Sequence, residues 1–235
     1  MVARDLTVAY GRRKGPALGL QGFTARFAPG ITGLVGPNGA GKSTFLRTSC
    51  GLLEPSGGSL TVGGSEPSAF VAAHGVGFLP ENPAFPPYLT VKEFLSGLLP
   101  AGPELPPQEG DPLGIPGLGS LLARRIEVLS HGQRKKVALA AALSGSPGLF
   151  LLDEPTNGLD PSAVRELREV LTGLGRKGLT VIVSSHHLDE LQRMADALVF
   201  VQGGRALGSW TREGALREHG SFDALYENVF LGRHG

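Results

Sequence analysis

Gly36-Pro37-Asn38-Gly39-Ala40-Gly41-Lys42-Ser43-Thr44 decides how this chain is read. It fits G-x-x-x-x-G-K-[ST], the phosphate-binding loop. The apolar run at 31–35 reads as a strand before it, and 43–50 reads as a helix after it, which is the strand–loop–helix setting the motif needs. The glycines let backbone N–H groups turn inward around phosphate oxygens, and the new helix points its positive end at the same anion. Lys42 is then placed to reach the β- and γ-phosphates of ATP or GTP, and Ser43 to hold Mg²⁺.

Outward from that loop, 149–152 (Leu-Phe-Leu-Leu) is a continuous apolar run typical of a strand buried on both faces. It ends in Asp153, placed to bind Mg²⁺ through water, and Glu154, placed to polarise a water for attack on the γ-phosphate. One acid after an apolar strand is commonplace. Two acids in a chain that carries a phosphate loop point to hydrolysis. Leu129-Ser130-His131-Gly132-Gln133 opens a helix over 132–143, and taken alone it reads as an ordinary N-cap.

Composition narrows the field. With 235 residues the chain makes one or two domains, and 41% hydrophobic content is enough for a sizeable core. A net charge of +1 offers no general basic field for nucleic acid. The single cysteine, Cys50, excludes an internal disulfide framework, suits a reducing compartment, and reads as a small core residue. No apolar run approaches the roughly 20 residues that span a bilayer. The N-terminal stretch lacks the apolar region of a signal peptide, so the chain reads as soluble by itself.

The remaining segments organise around this core. Residues 2–9 and 23–27 read as strands of a small antiparallel sheet before the core, with short strands at 59–62 and 76–79. Residues 100–119 hold six prolines and five glycines, a density no long helix survives, and read as a loop or an abbreviated inserted subdomain. Asp160-Pro161 is a helix start, followed by Val164, Leu167, Leu171 and Leu174 at helical spacing. A buried strand at 180–183, a hairpin about Gly203-Gly204 and a helical tail after 211 complete the chain. Alternating strands and helices predict an α/β fold with a mostly parallel sheet, its ligand at the carboxyl ends of the strands.

The order of motifs now matters: phosphate loop, LSHGQ at 129–133, LLDEP at 151–155, GLDP at 158–161, then Ser184-Ser185-His186. Over about residues 2–210 this series resembles the ATP-binding cassette (ABC) ATPases. Gly158-Leu159-Asp160 matches their D-loop, His186 their switch histidine, and Tyr10 falls where they stack an aromatic ring on adenine. The resemblance implies a phosphate-loop NTPase core with an N-terminal antiparallel β-subdomain and a shortened helical subdomain. One cassette would span 1–235, with the insert at about 82–145. It also implies a head-to-tail dimer, of two copies or with a second cassette. Each ATP would lie between the phosphate loop of one chain and Ser130, Gly132 and Gln133 of the other, with Asp160 lining the interface. Glu154 would serve as base and His186 would hold the γ-phosphate.

Two departures stand out. Glu81 lies where most relatives carry a glutamine that touches Mg²⁺ and the attacking water. It can still bind the metal, but it brings an added negative charge. His131 replaces the first glycine of the signature, either slowing closure or pointing away. The segment at 79–82 (Leu-Pro-Glu-Asn) looks like that of cassettes of the type-2 exporter class. Residues 83–88 are either part of a docking surface for membrane subunits or a rigid loop over the chain's own core. The implied role is the ATPase subunit of a transporter, with export favoured, peripheral on the inner face of the cell membrane beside a transmembrane permease and without direct nucleic-acid contact. The alternative is a soluble ABC ATPase acting on DNA or ribosomes. Those that act on DNA insert coiled coils or zinc modules, and this chain has neither heptads nor cysteine pairs. Those that act on ribosomes carry two cassettes.

Overall fold

The computed structural model describes residues 1–10, 17–98, 115–144 and 147–232. Two sheets enclose a single helix. The smaller sheet joins β1 (Val2–Tyr10), β2 (Ala17–Arg26) and β4 (Gly57–Thr61) in the order β2-β1-β4, all antiparallel. The larger runs β5-β6-β7-β3-β8-β9, from β5 (Gly77–Leu79), β6 (Leu149–Asp153), β7 (Thr180–Ser185), β3 (Gly30–Val35), β8 (Ala197–Gln202) and β9 (Arg205–Thr211). Its strands are parallel except for β9, which returns beside β8 through Gly203-Gly204.

Helix α1 (Lys42–Ser49) is wedged between the sheets, with the Phe45 ring 4.6 Å from Phe23 and 5.0 Å from Phe27. The side-chain period of two explains why the central strands are apolar throughout. In β7, Val181 and Val183 enter one core while Ile182 enters the other, and in β6 Phe150 and Leu152 oppose Leu149 and Leu151. The outer face is covered by α4 (His131–Leu143), α5 (Pro161–Arg176), α6 (Leu188–Met194), α7 (Arg212–His219) and α8 (Phe222–Leu231). Along α5, Leu167 and Leu171 are buried, while Val164 and Leu174 are half-buried.

The structure extends the sequence reading in three places. The small sheet is completed only after the phosphate loop, when β4 pairs with β1. Two short helices, α2 (Pro67–His74) and α3 (Val91–Ser96), lie in segments that periodicity left unassigned. Much of the Pro/Gly-rich stretch lies outside the described residues, but its end is core. Ile115, Leu118 and Leu121 are buried around a 3₁₀ turn at Gly119–Leu121.

Candidate functional site

The phosphate loop bridges β3 and α1. Gly41, the N-cap of α1, has φ +110°, a backbone that side chains disfavour, and no side chain caps the helix. The N-cap glycine thus offers the first N–H groups of α1 no side-chain acceptor. A Cβ at Gly36 would collide with the carbonyl oxygen of Val201, and the Gly204 N–H donates to the Ala40 carbonyl at 2.8 Å, so the β8–β9 turn braces the loop. Lys42 is 6% exposed and folds back on its own loop, donating to the Gly36 carbonyl at 2.7 Å. The Tyr10 hydroxyl and Thr44 Oγ1 are 2.9 Å apart.

Two strands over from β3, β6 delivers the acids, both buried. The parallel register puts Asp153 opposite Ser184, whose hydroxyl donates to Asp153 Oδ1 at 2.6 Å and accepts from the Glu154 N–H at 2.9 Å. Glu154 has φ +46°, a left-handed backbone in a non-glycine residue. Its Oε2 lies 3.0 Å from His186 Nδ1. Its Oε1 is buried without a hydrogen bond among the described residues, and the Lys42 ammonium is 3.6 Å away, beyond hydrogen-bond reach. A carboxylate oxygen held unsatisfied next to a lysine is a site that a bound group would complete.

These residues line one open cleft of about 460 Å³: Tyr10, the loop from Asn38 to Thr44, Glu81, Asp153, Glu154 and His186, together with Asn157. Gly36 and Pro37 form the base of the loop outside its lining. Ser130, Gly132, Gln133 and Asp160 do not line it either. Ser130 and Gln133 form a capping box at the start of α4: the Gln133 N–H donates to Ser130 Oγ at 3.3 Å, and the Ser130 N–H to Gln133 Oε1 at 3.1 Å. Asp160 caps α5, accepting from the Ser162 and Ala163 N–H groups at 2.9 Å each. His187 is the N-cap of α6, one residue past the histidine that meets Glu154. The His131 ring lies over Gly158 of the same chain, where a Cβ would sit 2.7 Å from Cδ2.

Among the described residues no three His, Cys, Asp or Glu side chains gather into a metal cage. Ser43, Asp153 and Glu81 offer one hydroxyl and two carboxylates, hard oxygen donors suited to a Mg²⁺ that takes its other ligands from phosphate and water. Sequence reasoning missed Lys135, which is 3% exposed and donates to the Glu154 carbonyl at 2.8 Å. Burial pushes its ammonium below the usual lysine range, while the charges of Glu81, Glu154 and Asp153 oppose that shift. The only sequence signal was a lysine set just before the apolar stretch of α4.

A glycine loop joining a parallel strand to a helix, with acids ending a strand of the same sheet, defines the phosphate-loop class of nucleoside-triphosphate-binding α/β proteins. Within that class the chain belongs to the ABC transporter family, as its nucleotide-binding domain. The family model described as ABC transporter matches residues 21–157. The chain is 34% identical over 204 residues to the lantibiotic transport ATP-binding protein SrtF of Streptococcus pyogenes, covering 86% of each chain. It is 36% identical over 191 residues to the Nod factor export ATP-binding protein I of Rhizobium etli, covering 77% of this chain and 60% of that protein's length. A solved ATP-binding subunit of an ABC transporter superposes with a TM-score of 0.83 at 28% identity, covering 97% of this chain and 98% of that one.

Proposed function

We propose that the chain binds and hydrolyses ATP as the motor subunit of an ABC transporter, closing head to tail with a second cassette to drive separate transmembrane subunits. The observation that carries this reading is the division of the motif residues. One set lines a single cleft, while Ser130, Gly132, Gln133 and Asp160 stand outside it, the division that a site shared between two chains requires. Export is the favoured direction, because the similar Nod factor protein is named for export. No described helix is long and apolar enough to cross a membrane, so the transmembrane path belongs to a partner, with this chain peripheral on the inner face.

In the working cycle Tyr10 stacks on adenine, and the loop from Gly36 to Thr44 wraps the phosphates. Lys42 exchanges its bond to Gly36 for the β- and γ-phosphate oxygens. Ser43, Asp153 and Glu81 would hold the Mg²⁺ that accompanies ATP, and the ion would offset phosphate charge there. Glu154 takes a proton from water as the water oxygen bonds to the γ-phosphorus and the bond to the bridging oxygen breaks, giving ADP and phosphate. His186 orients Glu154 and holds the γ-phosphate, so catalysis is mainly positioning and charge neutralisation.

Glu154→Gln removes the base while keeping the shape. ATP binding should persist, turnover should fall at least ~100-fold, and an ATP-bound dimer should accumulate on size-exclusion chromatography. Unchanged turnover would remove Glu154 from the role.

A further inference from the structure

The oxygen that fixes the backbone of Glu154 is shared. The Glu154 carbonyl accepts from the Lys135 ammonium at 2.8 Å and from the Asn157 N–H at 3.3 Å, the bond that closes the turn leading into Gly158-Leu159-Asp160. On its other side, the Glu154 N–H is held by the Ser184 hydroxyl and carbonyl. A residue with φ +46° is thus clamped from β7 on one side and from α4 on the other. A left-handed non-glycine backbone persists only where its surroundings over-determine it.

Helix α4 runs along this turn for its first turn and a half. His131 lies over Gly158, and a Cβ at Gly132 would touch Leu159. Lys135 grips the start of the same segment. The far end of α4 is equally fixed, since a Cβ at Gly77 of β5 would collide with the Ala142 carbonyl oxygen. Strand β5 leads through Pro80 to Glu81, the acid whose charge acts most strongly on Lys135.

We propose that Lys135 is a positioning residue that pins Glu154 to the head of α4, so that contact of Ser130, Gly132 and Gln133 with an opposing chain's nucleotide is felt at the base of the chain's own cleft. This rests on the proposed function for its catalytic meaning. The mechanical link rests on contacts already present in the single chain.

Hydrogen–deuterium exchange on the nucleotide-free protein reads the pin directly. In Lys135→Gln, peptides spanning 154–160 should exchange at least ~10-fold faster, with β7 and the second half of α4 unchanged. Unchanged exchange at 154–160, or equal acceleration everywhere, overturns the inference. In steady-state assays Lys135→Gln should lower kcat at least ~30-fold, with KM for ATP within about threefold, because the base rather than ground-state binding is displaced. A rise in KM at constant kcat overturns it. Lys135→Arg keeps the charge and a donor, and decides the matter if Lys135→Gln folds poorly: recovery to within about threefold of wild type supports the pin, whereas impairment equal to Lys135→Gln assigns the residue to packing and overturns it. Failure of the proposed function has its own signature. The wild-type chain would turn over no ATP while the exchange contrast persisted, which would strip Lys135 of any catalytic role along with Glu154.

Discussion

Ser184 serves two neighbours of opposite polarity with one hydroxyl, donating to Asp153 and accepting from the Glu154 backbone. Ser184→Ala leaves a buried carboxylate oxygen without that donor, a loss of about 1–3 kcal/mol. Denaturant titration should show this as a lower midpoint at unchanged slope, and an unmoved midpoint would mean that water replaces the hydroxyl. The residues that carry charge into the cleft were legible in the sequence, because Lys42, Asp153, Glu154 and His186 sit in motifs with fixed local spacing. Ser184 and Lys135 were not, since their roles depend on the pairing of β6 with β7 and on the packing of α4, contacts between segments distant along the chain. Glu81 was legible as a departure from the family's glutamine.

At the scale of elements, α1 is enclosed between the two sheets, and Cys50 at its C-terminal end reports on it. Burial pushes the Cys50 thiol up to about 12. At pH 8 a disulfide reagent should leave it untouched in the folded chain and label it fully in denaturant. From pH 9, the ordinary value, towards 12 the unfolded chain releases a proton that the folded chain keeps. The unfolded state then binds fewer protons, and stability falls as pH rises through that window. Cys50→Ala should flatten this alkaline slope, and an identical slope would refute the assignment. Strands β3, β6 and β7 could be read because both faces are buried, which leaves unbroken apolar runs. Helix α2 buries no residue fully and so left no apolar stripe to find. Helix α3 has only six residues, and its Thr90–Glu93 capping box was the one signal available. The membership of β4 in the small sheet depended on a non-local pairing with β1.

At the scale of the whole molecule, no described helix is long and apolar enough to cross a membrane. Tagged protein drawn from detergent-solubilised membranes of its own source should bring down a polytopic membrane protein. Recovery of ribosomes, DNA or soluble proteins alone would instead favour the soluble ATPase reading. The two-sheet frame also bears on what a piece of this chain could do. The nine residues from Gly36 to Thr44 take their shape from a strand and turn that arrive near the end of the fold: Val201 closes against Gly36, Gly204 bonds Ala40, and the Gln21 N–H donates to the Gly204 carbonyl at 2.9 Å. The motif is therefore not portable. A fragment ending before β8 would keep every letter of the phosphate signature and lose the scaffold that curls it, so the loop takes this shape only once β8 and the turn after it have been made.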